Sequence, residues 1–313
     1  MLESVFVAPS KEPFDPYVVD WGAVAPLKLR AATLAEGLYS GAHRSLLKGS
    51  GVEFLGQRPY VRGDDLRFVD KRSLLRHDKL MIREFETETD RALWLVVDAT
   101  LSMGFKGGGP ASKYPFAALL AAVLARIAVR AGDPVGLLVV GGDQPTFLQA
   151  KASRDMFHRV TDALMTASPK GDWTTKDDTF ASLLAPLHEK ARRGSVIVFL
   201  SDLVDLPALS EARLAELATR NRRVFAVRIL SPDEATFPFR EHARFTSVEG
   251  GTVVEANPEI VRAGYLAALE RVKQTWLDVL SKSGGSLLDV KTTDDAAKVL
   301  SLLLQQIRGE VLR

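Results

Sequence analysis

Cysteine is absent from the 313 residues of this sequence. Disulfide bonds, thiolate metal sites and thiol nucleophiles are therefore excluded, and the composition is typical of a reducing compartment. Histidine is scarce too, and the five histidines are scattered without the spacing of metal ligands, so we interpret each as structural. Composition alone therefore excludes cysteine thiolate sites and gives no support to a site of clustered histidines.

The sequence also lacks a large excess of charge of one sign. The 41 lysines and arginines face 39 aspartates and glutamates, which leaves a net charge of +2. Because nucleic acid binding requires a concentrated basic surface, we expect no nucleic acid partner. Arginines do recur between residues 58 and 76, but aspartates are interleaved with them, and we interpret this stretch as a salt-bridged surface.

The sequence has little that resembles a leader or a membrane span. The amino-terminal stretch lacks a basic start followed by a sustained apolar segment. The longest apolar segment, residues 116–129, is interrupted by Arg126 and falls short of the roughly 20 residues that a spanning helix needs. We therefore expect no membrane insertion and a cytoplasmic location.

Three regions of the chain differ in their patterning. Residues 1–26 are interrupted by prolines and predict an extended amino-terminal arm. Residues 27–90 predict a helix followed by a small β-rich segment, since short alternating stretches lie between turn signals. In residues 91–313, continuous apolar runs alternate with helical patterns, which predicts a doubly wound, mostly parallel α/β sheet. A hairpin and a long helix around residues 240–283 predict an insertion in this last domain.

Acidic and hydroxyl side chains follow two of the predicted buried strands. Asp98, Thr100 and Ser102 come after the first strand of the α/β domain, and Asp202 comes after a later one. Ligands of open parallel sheets bind beyond the carboxyl ends of the strands, and oxygen ligands suit Mg²⁺ or Mn²⁺. The spacing favours a metal site there; the alternative is a metal-free loop in which an aspartate caps a turn.

The motif from Asp98 through Thr100 to Ser102 resembles the first element of the metal-ion-dependent adhesion site of von Willebrand factor A domains. Ser201 and Asp202 stand where such domains have a later aspartate. The resemblance implies an α/β domain that binds Mg²⁺ or Mn²⁺ and captures a carboxylate from a partner protein.

That resemblance also implies a third metal element, a threonine that precedes a helix. The helical register places Asp178 at this position, and Thr179 lies one residue later. Both residues remain candidates for the third ligand. An aspartate there would add negative charge and weaken the attraction of the site for an acidic partner.

The region before the sheet carries a more specific resemblance. Residues 41–45, 51–54, 58–67 and 82–86 are similar to the domain-of-unknown-function family numbered 58, which joins such a segment to a von Willebrand factor A-like domain. Family members are typically found with MoxR-type AAA+ ATPases. The resemblance therefore implies a chaperone-like or assembly role with such an ATPase and an unknown client, and it implies no known reaction.

One block of this region is expected to be structural. We predict that its charged and aromatic residues tie the β-rich segment to the larger domain through charge-assisted hydrogen bonds. These residues are Arg58, Tyr60, Asp64, Asp65 and Arg67, and Gly63 belongs to the same block. The chain departs from the family pattern just beyond, where Lys71 follows Asp70 in place of the usual tryptophan.

Three functions remain in view. The first is a non-enzymatic interaction module with a metal ion, and the second is a structural scaffold with a degenerate metal site. The third is a metal-assisted phosphohydrolase using Asp98 and Asp202, which would need a base or a phosphate clamp that the motifs do not supply. Glycines 107–109 lack the Gly-Lys-Ser/Thr ending of a phosphate loop, and we interpret them as a flexible connector.

Overall fold

The computed structural model describes residues 27–39, 53–61, 69–70, 80–86, 91–171, 177–204, 206, 210–219, 221–240, 243–246, 253–282 and 284–309. The chain divides into two compact units, one of residues 1–47 with 91–313 and the other of residues 48–90. The arm predicted over residues 1–26 lies outside the described residues.

The helices and strands are numbered in chain order. The helices are α1 (Leu27–Tyr39), α2 (Lys113–Ala131), α3 (Met156–Thr166), α4 (Asp177–Lys190), α5 (Ser210–Leu217), α6 (Pro232–Thr236), α7 (Pro258–Ser281) and α8 (Ala296–Arg308). The strands are β1 (Glu53–Pro59), β2 (Met81–Glu86), β3 (Leu93–Ala99), β4 (Val135–Gly141), β5 (Thr146–Lys151), β6 (Val196–Ser201), β7 (Arg223–Leu230), β8 (Ala243–Thr246), β9 (Val253–Ala256) and β10 (Ser286–Lys291).

The larger unit is built on one twisted sheet with the strand order β10-β7-β6-β3-β4-β5. All neighbours are parallel except β5, which pairs antiparallel with β4 at one edge. The chain enters at the central strand β3, winds outward through β4 and β5, and then returns to the other side at β6. This order defines a doubly wound sheet with its switch point between β3 and β6, so the predicted fold class is confirmed.

Alternate residues of β3 pack into two hydrophobic cores on opposite faces of the sheet, as the two-residue period of a strand requires. Leu95 and Val97 belong to the core that contains α1, α2, α3 and α8. Trp94 and Val96 belong to the opposite core, which contains α4 and α7. All seven residues of β3 are buried, which explains why the strand is a continuous apolar run.

Helix α2 is the central helix of the first core. It is long and apolar enough to cross a membrane, yet 78% of its most apolar window is buried inside the structure. A core helix of a globular domain meets the same criteria of length and composition. The apolar character of α2 is accounted for by its packing, and the cytoplasmic location stays a prediction.

Helix α1 packs differently from the predicted domain division. Leu27, Ala31 and Ala35 lie on one face at a spacing of four residues, and all three are buried in the core shared with α2. The prediction grouped this helix with the β-rich segment as residues 27–90, whereas the structure assigns it to the larger unit. Its buried small residues let it approach α2 closely, and this pairing was not visible from local sequence.

The smaller unit contains an antiparallel pair, β1 with β2. The N–H of Tyr60 extends the ladder by donating to the carbonyl of Leu80 at 2.8 Å. Asp70 is buried and accepts a 2.5 Å hydrogen bond from the Gln57 side chain. Arg58 donates to the carbonyl of Pro59. Gly63, Asp64, Asp65 and Arg67 lie outside the described residues, so the structural role of that block stays a prediction.

The predicted insertion lies between β7 and β10. Strands β8 and β9 form an antiparallel hairpin, and Asn257 caps α7 by accepting a hydrogen bond from the Glu259 N–H at 3.0 Å. Trp276 and Leu280 bury the carboxyl-terminal half of α7 against the sheet, while Ile260 near its start is 77% exposed. The long helix therefore packs on the sheet through one half of its length.

A buried arginine anchors this insertion. Arg228 of β7 donates two hydrogen bonds to Asp289 of β10, at 2.8 and 2.7 Å, and one to the Leu269 carbonyl of α7 at 2.9 Å. The arginine side chain is 2% exposed, whereas that of Asp289 is 31% exposed. The fork of the guanidinium suits this geometry, which a lysine cannot reproduce.

The difference in exposure predicts unequal costs for the two truncations. Asp289→Ala leaves a buried guanidinium without its carboxylate and should lower the free energy of unfolding by about 3 kcal/mol. Arg228→Met leaves a carboxylate that water reaches and should cost about 1–2 kcal/mol. Urea unfolding of both variants measures the difference, and a larger loss for Arg228→Met would contradict this assignment.

Candidate functional site

The predicted site residues meet at the switch point of the sheet. Asp98 is the penultimate residue of β3, Thr100 directly precedes the short 3₁₀ turn Leu101–Gly104, and Ser102 lies in that turn. Asp202 directly follows β6, the parallel neighbour of β3. Crevices at switch points are where doubly wound sheets bind ligands. The fold therefore brings together four of the six predicted metal ligands.

Asp98 is fully buried and accepts three hydrogen bonds. The N–H and the hydroxyl of Thr100 donate to its Oδ1 at 2.8 and 2.7 Å. The hydroxyl of Ser201 donates to its Oδ2 at 2.5 Å. The hydroxyls of Thr100 and Ser102 are themselves 3.2 Å apart. Carboxylate and hydroxyl oxygens thus converge on residues that are at most 5% exposed.

The pKa of Asp98 reflects this setting. The pKa is raised from 3.8 to about 6, mainly by burial and secondly by the neighbouring charge of Asp202. The hydrogen bonds from Ser201 and Thr100 oppose the rise. Two carboxylates close together in a dry site repel each other, and a cation between them would relieve that repulsion.

Asp202 lies in a strained turn. Its Oδ1 accepts from the Val204 N–H at 3.1 Å, and the Leu203 N–H donates to the Ser201 hydroxyl at 3.0 Å. Leu203 adopts a φ of 56°, a left-handed conformation that is unusual for a branched residue. Strain of this kind is concentrated at functional sites in proteins.

The other oxygen of Asp202 is bonded to a lysine that the motif analysis did not place in the site. Lys113 opens α2, its side chain is 1% exposed, and its ammonium donates to Asp202 Oδ2 at 2.8 Å. The same ammonium donates to Glu234 Oε1 at 2.6 Å. Burial alone would lower the pKa of Lys113, but the two carboxylates outweigh burial and hold that pKa above its ordinary value.

Glu234 is positioned by a capping box at the start of α6. The Ser231 N–H donates to Glu234 Oε2 at 2.7 Å, and the Glu234 N–H donates to the Ser231 hydroxyl at 3.2 Å. Burial raises the pKa of the Glu234 carboxyl, and Lys113 offsets part of that rise. The hydroxyl of Tyr265 in α7 donates to the Glu234 carbonyl at 3.0 Å. The insertion is thereby connected to the charged site.

The charge balance of this cluster fits a divalent cation. Asp98, Asp202 and Glu234 contribute three carboxylates, and Lys113 contributes one ammonium, so the cluster carries a formal charge of −2 when all are ionised. Buried charge without a counter-ion is costly. The oxygens near the end of β3 are also of the chemical type that Mg²⁺ and Mn²⁺ prefer. On both counts the residues present fit a bound ion.

The ligand set is poor in carboxylates. The part of the chain that the structure describes contains no cluster of three or more His, Cys, Asp or Glu side chains placed to hold a metal. Asp178 and Thr179 lie in the first turn of α4, but their side chains are outside the described residues, so the third metal position stays a prediction. An ion here would depend on hydroxyls and water.

The glycines before α2 are closely packed. A Cβ atom on Gly107 would approach the Ser231 hydroxyl to 2.7 Å, and one on Gly108 would approach Asp233 Oδ1 to 2.8 Å. On Gly109 it would approach the Thr292 hydroxyl to 2.4 Å. The interpretation of these glycines as a flexible connector missed this packing, which leaves no room for side chains.

Sequence reasoning missed two members of the cluster, namely Lys113 and Glu234. Two signals were present. Lys113 opens an otherwise apolar helix, and an unpaired lysine at such a position calls for a buried partner. Glu234 follows Ser231 at the spacing of a capping box directly after a buried strand. Neither signal reveals that the two side chains meet.

The fold and the site define an α/β protein with a von Willebrand factor A-like sheet and an oxygen-lined crevice at its switch point. The chain belongs to the family described as "Protein of unknown function DUF58", whose model matches residues 56–275. The uncharacterized protein Rv1480 of Mycobacterium tuberculosis is 27% identical over 295 residues, which cover 92% of this chain and 90% of that protein.

Two solved structures are similar at lower identity. An aerotolerance-related membrane protein from Bacteroides fragilis is 14% identical with a TM-score of 0.46, over 70% of this chain and 99% of that chain. A von Willebrand factor type A structure from Catenulispora acidiphila is 10% identical with a TM-score of 0.42, over 72% of this chain and 43% of that chain.

The raised pKa of Asp98 predicts a pH dependence of stability without metal. Because the folded protein holds this proton more tightly than the unfolded chain does, ionisation of Asp98 destabilises the fold. The penalty is absent below about pH 4 and complete above about pH 6, and it amounts to roughly 2–3 kcal/mol. In EDTA, wild-type protein should lose more stability between pH 4.5 and 7 than Asp98→Asn does.

Urea unfolding at several pH values compares the two proteins. The difference between them isolates Asp98 from the other titrating groups, such as Glu234. Curves that run parallel across this pH range would show that Asp98 carries no such penalty.

Proposed function

We propose that this chain is a non-enzymatic protein-interaction module that binds Mg²⁺ or Mn²⁺ at the switch point of its sheet. The observation that supports the proposal most strongly is a buried cluster of three carboxyl groups and one ammonium beside several hydroxyls, which has a surplus of two negative charges when every group is ionised. A divalent ion would neutralise that surplus. An acidic group of a partner protein would then complete the shell of the ion, as the resemblance to metal-ion-dependent adhesion sites implies.

In this proposal the ligands come from the two strand ends. Asp98, Thr100 and Ser102 would hold the ion from the end of β3, and Asp202 would contribute its negative charge from the end of β6. Asp178 or Thr179 would supply the third element from α4. The ion itself would provide a Lewis-acidic position for a carboxylate oxygen, while the buried hydrogen bonds to Asp98 fix the orientation of the ligands.

The proposed associate is a MoxR-type AAA+ ATPase, acting with an unknown client in protein assembly or chaperone-like work. Membership of the family supports this part of the proposal, because family members are typically found with such ATPases. Within the cell the proposed location is the cytoplasm.

A structural scaffold with a degenerate site is the second candidate. One observation favours it, since the ammonium of Lys113 already occupies Oδ2 of Asp202. In that case Lys113 would serve as a permanent counter-ion and no metal would bind. The two functions differ in a single measurable property, the affinity of the site for a divalent cation.

Calorimetric titration with Mg²⁺ and Mn²⁺ distinguishes them. We expect dissociation constants in the millimolar to micromolar range, because oxygen ligands of limited charge leave several positions to water. Asp98→Ala should abolish the heat of binding. Asp143→Ala is a matched control, since this exposed aspartate near the same edge of the sheet pairs with Lys170 and should leave binding unchanged.

The same variants test the partner. A purified MoxR-type ATPase should bind the wild-type chain in Mg²⁺ and lose binding in EDTA or with Asp98→Ala. Equal heats from wild type and Asp98→Ala, together with binding of the ATPase in EDTA, would refute the ion-dependent module and leave the scaffold.

We further expect no hydrolysis of ATP or phosphoesters by the purified chain. Among the described site residues, Lys113 is the cationic side chain that could act as a phosphate clamp. Two carboxylates already neutralise its ammonium, so it cannot stabilise charge on a transferred phosphoryl group. Turnover with excess Mg²⁺ that disappears in Asp98→Asn would overturn this expectation. Turnover that survives Asp98→Asn would come from a copurifying ATPase.

A further inference from the structure

The ammonium of Lys113 and a metal ion would share the same carboxylate. Lys113 donates to Oδ2 of Asp202 over 2.8 Å, and each of the two side chains is 1% exposed. The remaining oxygen of Asp202 accepts from the Val204 N–H at 3.1 Å. Because like charges in a dry site repel strongly, an ion that ligates Asp202 must displace or oppose the ammonium.

We infer that Lys113 sets the cation affinity of the site by holding Asp202 out of direct coordination. This inference rests on the proposed function, because it concerns the same ion. With Asp202 neutralised, the ion is held by Asp98 and by the hydroxyls at the end of β3. The site is then a one-carboxylate site, which binds divalent cations weakly and discriminates little between Mg²⁺ and Mn²⁺.

Lys113 is itself held in place from the opposite side. Glu234 Oε1 accepts from the ammonium at 2.6 Å, and Glu234 Oε2 is fixed by the Ser231 N–H at 2.7 Å. The ammonium also lies 5.9 Å from the ring centroid of Phe105. To release Asp202, the lysine would have to break a buried ion pair while Glu234 continues to hold the ammonium. Lys113 is therefore a positioning residue, which acts on the ion through Asp202.

A charge-balanced double variant isolates this effect. Lys113→Met combined with Glu234→Gln removes one positive and one negative charge, so the formal charge of the cluster is unchanged while Asp202 is released. We expect Mn²⁺ to bind about tenfold more tightly than to wild type, by analogy with the effect of one nearby like charge on proton binding. The loss of the electron paramagnetic resonance signal of free Mn²⁺ reports binding directly.

Two control variants distinguish the direct contact between Lys113 and Asp202 from the general electrostatic effect of a nearby charge. Lys170→Met removes a lysine whose N–H donates to the carbonyl of Ala99 at the end of β3, and whose side chain is exposed and paired with Asp143. Its charge is screened by solvent, so Mn²⁺ affinity should change by less than about twofold. Glu234→Gln alone keeps Lys113 on Asp202 and should not tighten binding. Thermal unfolding confirms that each variant folds.

The outcomes distinguish this inference from the proposed function. Equal Mn²⁺ affinity in wild type and the double variant, abolished in both by Asp98→Ala, would overturn the role of Lys113 and leave the ion site intact. Binding that arises only in the double variant would support the role of Lys113 and remove the ion from the function of the wild-type chain. An absence of binding in every variant would overturn both.

A second comparison applies if the double variant does not fold. When Lys113 keeps Asp202 from the ion, Asp202→Asn should weaken Mn²⁺ binding far less than Asp98→Asn does. Equal losses from the two substitutions would show that Asp202 is a direct ligand, and the inference would be wrong.

Discussion

The ammonium of Lys113 bonds two buried carboxylates that come from different elements, Asp202 after β6 and Glu234 in α6. Removing one member of a buried ion pair costs about 3–5 kcal/mol, and this lysine belongs to two such pairs. Through Glu234 and the hydroxyl of Tyr265 the same contacts reach α7 of the insertion. The start of α2, the switch-point turn and the insertion are thus tied to one charge.

The topology of the sheet explains the position of the Lys113 ammonium. Parallel strands that wind away from a central strand leave a crevice at their carboxyl ends, and β3 and β6 border that crevice. Polar residues lie at the carboxyl ends of β3 and β6, so the course of the two strands alone places them in the crevice. The buried lysine and the left-handed Leu203 break local rules of burial and backbone conformation. Such departures are expected at functional positions.

Much of the fold could be predicted from the sequence, because the signals that specify its helices and strands are local. The apolar run of β3 and the capped start of α7 each specify an element within a few residues. Asp98, Thr100 and Ser102 could be placed at a strand end for the same reason. The Lys113 contacts span 89 and 121 positions of the chain, and no periodicity encodes such distances. The packing of α1 on α2 escaped prediction because its short buried residues give only a weak amphipathic signal.

The central claim is that a divalent ion sits at the end of β3 while Lys113 retains Asp202. Crystals of the wild-type protein grown with Mn²⁺ test both halves at once, because the anomalous scattering of manganese locates the ion independently of its ligands. We predict one anomalous peak in contact with Asp98 and the hydroxyls of Thr100 and Ser102, with Lys113 still bonded to Asp202. A map without a peak at that position, with the lysine pair unchanged, would contradict the account and identify the cluster as a structural one.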